Sequence, residues 1–99
     1  MRGTITIAAA ALMLASVVAS HAQQRVTVNG CPSPGVEVNC MMIRGSDNVT
    51  YNISGAKQKP AVGQRAIRLT GTVTKKISYC QQGIVLDNIS WSYTERTCQ

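Results

Sequence analysis

The chain has 99 residues, 44% of them hydrophobic, with ten lysines and arginines against four acids and a formal net charge of +6. It has one histidine, four cysteines, one tryptophan and no phenylalanine. Any core must therefore be built from Val, Ile, Leu, Met and that single Trp.

Arg2 supplies a positive start, 5–18 is an apolar run, and Ser20-His21-Ala22 places small residues at the minus-three and minus-one positions. This predicts a secretory signal over 1–22, cleaved after Ala22. The run is shorter than the roughly 20 apolar residues that span a bilayer, so no transmembrane span is expected in the mature form. Loss of Arg2 leaves a mature domain, 23–99, with net charge 6 − 1 = +5. Cys31, Cys40, Cys80 and Cys98 all follow the cleavage site. An even count in a short exported chain implies two disulfides and a periplasmic or secreted address, with three connectivities open. A domain this small buries only about 60% of its unfolded surface, so the bridges are expected to serve stability.

Val26 and Val28 alternate with Thr27 and Asn29, the period of a half-buried strand. Two prolines and two glycines over 30–35 predict a loop, and 36–44 reads as a second extended run. Gly45-Ser46-Asp47-Asn48 has turn residues, and Val49, Tyr51 and Ile53 share one face of the next strand, with Thr50 and Asn52 on the other. After a connection over 55–63, Ile67, Leu69, Gly71 and Val73 face inward while Arg68, Thr70, Thr72 and Thr74 face solvent, and Gly71 marks a bend. Over 84–93 the phase changes. Ile84 and Leu86 share one parity and Ile89, Trp91 and Tyr93 the other, so a bulge at Asp87-Asn88 is predicted. Short strands, glycine corners and no helix predict an all-β domain, a small closed or nearly closed barrel of about five strands.

Gly35-Val36-Glu37-Val38-Asn39-Cys40, Tyr51-Asn52-Ile53-Ser54-Gly55, Leu69-Thr70-Gly71-Thr72-Val73 and Cys80-Gln81-Gln82-Gly83 carry a resemblance in their order. The chain resembles small exported bacterial domains of unknown function with an OB-like five-stranded barrel, differing in the lack of a helix between the third and fourth strands. The resemblance implies that fold, a periplasmic or extracellular address and no established activity. It also implies pairing of Cys40 with Cys80, leaving Cys31 with Cys98.

Little catalytic chemistry is on offer. His21 falls within the signal, so a mature triad or histidine-bearing zinc site is excluded, and no Cys-x-x-Cys spacing exists. Glu37, Asp47, Asp87 and Glu95 are the mature acids, and nothing in their spacing indicates a shared site. No enzyme activity, cofactor or metal is expected. Asn48-Val49-Thr50, Asn52-Ile53-Ser54 and Asn88-Ile89-Ser90 match a glycosylation pattern that arises often by chance.

A window without acids, 48–86, holds Lys57, Lys59, Arg65, Arg68, Lys75 and Lys76, the candidate anion-binding residues. Trp91 is read as core and, with Tyr93, as a candidate stacking pair. These features suggest a non-enzymatic interaction module. Candidate partners are an anionic polysaccharide, a lipid headgroup or an envelope protein, and DNA is not expected. The alternative is a secreted enzyme inhibitor presenting the proline-rich 31–35 loop, stiff enough to lose little entropy on binding.

Overall fold

A computed structural model describes residues 23–98. The predicted signal over 1–22 lies outside the described residues. Among the described residues all regular structure is β: β1 (Arg25–Gly30), β2 (Pro32–Pro34), β3 (Met41–Arg44), β4 (Thr50–Asn52), β5 (Arg65–Val73) and β6 (Ile84–Thr97). They form one sheet in the order β1-β5-β6-β4-β3-β2. Neighbours are antiparallel except β4 and β6, which run parallel through Tyr51↔Ile84 and Asn52↔Val85. Among the described residues no helix is long and apolar enough to cross a membrane.

The all-β class is as expected, but the sheet is open and has six strands, where the sequence suggested a closed or nearly closed barrel of five. The difference arises at Cys31. It interrupts what would be one strand, so β1 pairs with β5 at one end of the sheet and β2 with β3 at the other. The expected 30–35 loop is thus partly strand. Pro32 and Pro34 have no N–H to donate, which is tolerable because β2 is an edge. Only Met41–Arg44 of the extended run 36–44 pairs.

The core cluster is Val28, Met41, Ile43, Tyr51, Ile53, Ile67, Leu69 and Leu86, with Val26, Val49, Val73, Ile89 and Trp91 packed at its margin. Each fully buried aliphatic side chain contributes about 1.5–3 kcal/mol by leaving water. Trp91, read as core, is half-buried, and Tyr93 and Ile84 reach the surface. The bulge falls in β6 as the parity change predicts: Thr70 pairs Ser90 and Thr72 pairs Asp87, so three steps on β6 match two on β5. Asn88 takes a positive φ of 50° there.

Thr72, expected to face water, and Asn52, on the strand face opposite Tyr51 and Ile53, are 3% and 1% exposed. Asn52 lies opposite Met42 in the ladder and so shares its face. That face is not solvated: Met42 packs with Cys40 and Cys80 in a second apolar cluster, beneath the 74–83 connection. Thr72 is covered by Arg25, whose Nη1 donates to its Oγ1 at 3.0 Å. Burial and the neighbouring Asp47 carboxylate raise the Tyr51 phenol above its usual range, so it stays neutral and donates to Asp47 Oδ2.

The bridges are Cys31–Cys98 and Cys40–Cys80, with Cα atoms 5.8 and 5.7 Å apart. The first ties the corner between β1 and β2 to the end of β6. The second ties the 35–40 loop to the 74–83 connection. Two disulfides are consistent with an extracytoplasmic protein.

Candidate functional site

Two surfaces stand out. The first follows from the short pairing of β4 with β6. After Asn52 and Val85 the two strands part, and the 53–64 connection crosses beside the edge of β6 instead of a further strand. The aromatic residues of β6 hold that connection. Trp91 Nε1 donates to the Gln58 carbonyl at 2.7 Å, and the Ala61 N–H donates to Tyr93 Oη at 2.9 Å. Their rings meet edge to face, 4.9 Å between centroids, and the Arg65 guanidinium lies 5.2 Å from the Tyr93 ring centre. Replacing Trp91 with Phe should therefore cost about 1 kcal/mol from the lost bond and speed amide exchange across 55–64, both measurable by urea titration and hydrogen exchange.

Between connection and strand runs a groove. One cleft is lined by Lys57, Gln58, Ile89, Ser90 and Trp91, and the next by Gly55, Lys57, Asp87, Asn88 and Ile89. Lys57 and Ile89 line both, so the two clefts adjoin along β6 between Asp87 and Trp91. At its far end Lys76 Nζ lies 2.9 Å from Asp87 Oδ2, which offsets the one carboxylate in the groove.

The structure thus sorts the anion-binding candidates. Lys57 joins Trp91, Arg65 joins Tyr93, and Lys76 joins Asp87 at the groove's end. Lys59 is exposed on the connection itself. Arg68 stands in a row with Asn29 and Ser92 on the opposite sheet face, and Lys75 is exposed on 74–83.

The second surface was not legible as a site. Loop 35–40 closes on itself, with Gly35 N–H donating to the Cys40 carbonyl at 2.7 Å and Asn39 at a φ of 67°. A Cβ on Gly35 would lie 2.7 Å from Cys40 Cβ, so only glycine fits. The Cys40–Cys80 bridge joins this loop to 74–83, and Val36 N–H donates to Gln82 Oε1 at 2.8 Å. Inside, Asn52 Nδ2 donates to Ser78 Oγ at 3.3 Å and to the Cys80 carbonyl, while Ser54 N–H donates to Asn52 Oδ1. On this rigid base stand Val36, Val38, Ile77 and Tyr79, exposed by 83, 76, 90 and 75%. Between the loops lies a cleft of about 450 Å³ lined by Val36, Glu37, Tyr79, Gln81 and Gln82. The two valines read as strand residues because extended loops and strands share the same alternation.

The four acids are dispersed. Asp47 serves its turn by accepting from Val49 N–H at 3.0 Å, Asp87 holds Lys76, Glu37 lines the loop cleft and Glu95 is exposed on β6. Among the described residues no cluster of three or more His, Cys, Asp or Glu could hold a metal. Comparison with protein-family models, curated proteins and solved structures finds no match. The proline-rich segment that motivated the inhibitor reading is β2, with Pro32 buried and paired to Ile43, so it is not a free presenting loop.

Proposed function

We propose that the chain is an exported, non-enzymatic binding module that takes an acidic polysaccharide of the cell envelope along the edge of β6. The observation that carries this is the convergence of Lys57 and Trp91 in one cleft, which adjoins a second along β6. An aromatic face suits the apolar side of a sugar ring. A lysine suits its carboxylate or sulfate, and Asn88 and Ser90 offer hydrogen bonds to hydroxyls. An open-ended groove fits a polymer better than a small molecule. The carboxylate that would oppose an anion, Asp87, is paired with Lys76.

The fold reading that goes with it is a partly open, OB-like barrel. Supporting it are a first strand bent across both ends of the sheet, the β1-β5-β6-β4-β3-β2 order, and one parallel pair. The signal-like 1–22 segment and the two bridges support the address.

The test is binding of the oxidised mature chain to polygalacturonate, with dextran as the neutral control. Reversing Lys57 and Lys59 together to Glu should weaken binding by about tenfold or more at low salt. Arg68→Glu, on the opposite face, should leave affinity within about twofold. Raising salt from about 0.05 to 0.5 M should abolish binding. Equal losses in the two variants, or binding indifferent to salt, would remove the groove from consideration.

A further inference from the structure

We propose that the loop pair 35–40 and 74–83 is the interface of a homodimer, built by a second copy of this chain around a twofold axis. This does not depend on the groove. Val36, Val38, Ile77 and Tyr79 are the most exposed large apolar residues of the described chain, and they share one end of it through Cys40–Cys80. Contiguous apolar surface rimmed by polar groups marks an interaction site. The bridge, the Gln82–Val36 bond and the Asn52 clamp hold the loops in place, so little entropy is lost when they are covered.

The charges choose the occupant. Loop 35–40 carries only Glu37, and 74–83 carries only Lys75 and Lys76. Lys76 is engaged by Asp87 at 2.9 Å, whereas among the described residues Glu37 and Lys75 make no ion pair. One sign on each loop makes the patch self-complementary under a twofold axis. A twofold axis between the loops sets each Glu37 against the other copy's Lys75, on both sides of an apolar centre. A lipid surface fits less well, because anionic headgroups would meet Lys75 but repel Glu37 and strip its hydration, whereas a second copy pairs both.

Sedimentation equilibrium of the oxidised mature chain, from about 1 µM to 1 mM, reads the outcome directly. The weight-average mass should rise from one chain to two across that range. Ile77→Asp with Tyr79→Asp should weaken association by about a hundredfold. Glu37→Lys and Lys75→Glu should each weaken it by about tenfold, and combining them should restore it to within about threefold of the native chain. The restored double variant cannot be explained by misfolding. A mass fixed at one chain throughout, association untouched by the aspartates, or a double charge swap no better than the singles would each overturn the proposal. Capture by vesicles of a monomeric chain would instead assign the patch to lipid.

Discussion

Removing either disulfide by paired Cys→Ala substitution is expected to lower stability by about 4 kcal/mol, and removing both to leave the chain unfolded at 25 °C. The sequence separations are 67 for Cys31–Cys98 and 40 for Cys40–Cys80. Loop-closure entropy grows only with the logarithm of length, so the two losses should differ by less than about 1 kcal/mol. A mature domain of this size is stabilised by about 4–11 kcal/mol in total, and two such losses, about 8 kcal/mol together, remove most of it. The variants should still differ in where they loosen. Without Cys31–Cys98 the corner between β1 and β2 loses its tie to the end of β6, and protection should fall across the sheet. Without Cys40–Cys80 the small cluster around Met42 opens, and exchange should rise first over 35–40 and 74–83. Urea titration gives the magnitude and amide exchange the location. A midpoint unmoved in either variant would mean that the apolar core alone carries this domain.

The parts of the fold that could be read from sequence are those whose two faces meet different surroundings. In β5, Ile67 and Leu69 alternate with Arg68 and Thr70 because one face is core and the other solvent. The β6 bulge was legible because parity breaks between Leu86 and Ile89, and only an extra residue returns both to one side. The signal fails where burial comes from a distant segment. Asn52 is buried by chain 26–28 residues further on, through Ser78 and Cys80, and no local pattern reports that. Pro32 and Pro34 read as breakers because the rule against strand proline applies to central strands and not to this edge. The site divides in the same way. An acid-free window of basic residues is visible in the sequence, and the outward parity of Arg68 already separates it from the inward side chains. That Lys57 meets Trp91 depends on the 53–64 connection crossing back over β6, a contact between residues 33 apart at Gln58 and Trp91.

The groove and the loop pair are joined by one contact, since Lys76 of 74–83 reaches Asp87 at the groove's end. A twofold dimer through the loops would therefore place two grooves on one particle. A linear polyanion long enough to engage both would gain by effective concentration, on the order of 10²–10⁴ in avidity, without any new contact. Disrupting the loops should then weaken binding to long polymer while leaving short oligomers unaffected. This links the two proposals while each keeps its own test.

The buried amide of Asn52 is the second position where a large effect is expected. Its Nδ2 donates to the Cys80 carbonyl and to Ser78, and its Oδ1 accepts from Ser54 N–H, so one side chain fixes the end of β4 and the base of 74–83 together. Asn52→Leu keeps the branching at Cγ but is bulkier and strands these partners, each worth about 1–3 kcal/mol, against a gain from the added apolar surface. A net loss of about 2–4 kcal/mol is expected. Asn52→Asp separates hydrogen bonding from packing. The introduced carboxylate can still accept from Ser54, yet it meets the Cys80 carbonyl with an acceptor in place of a donor. Burial without that donor raises its folded pKa above the unfolded value of about 3.9. The folded state then binds the proton more tightly than the unfolded chain, so the deficit is greatest at neutral pH and shrinks as pH falls through the folded pKa. Urea midpoints of the Asp and Leu variants against the native chain, from pH 7 to 4, should show the Asp deficit closing and the Leu deficit flat. A pH-independent deficit in both, or native stability for Asn52→Asp at pH 7, would show that packing and not the amide bonds holds this loop.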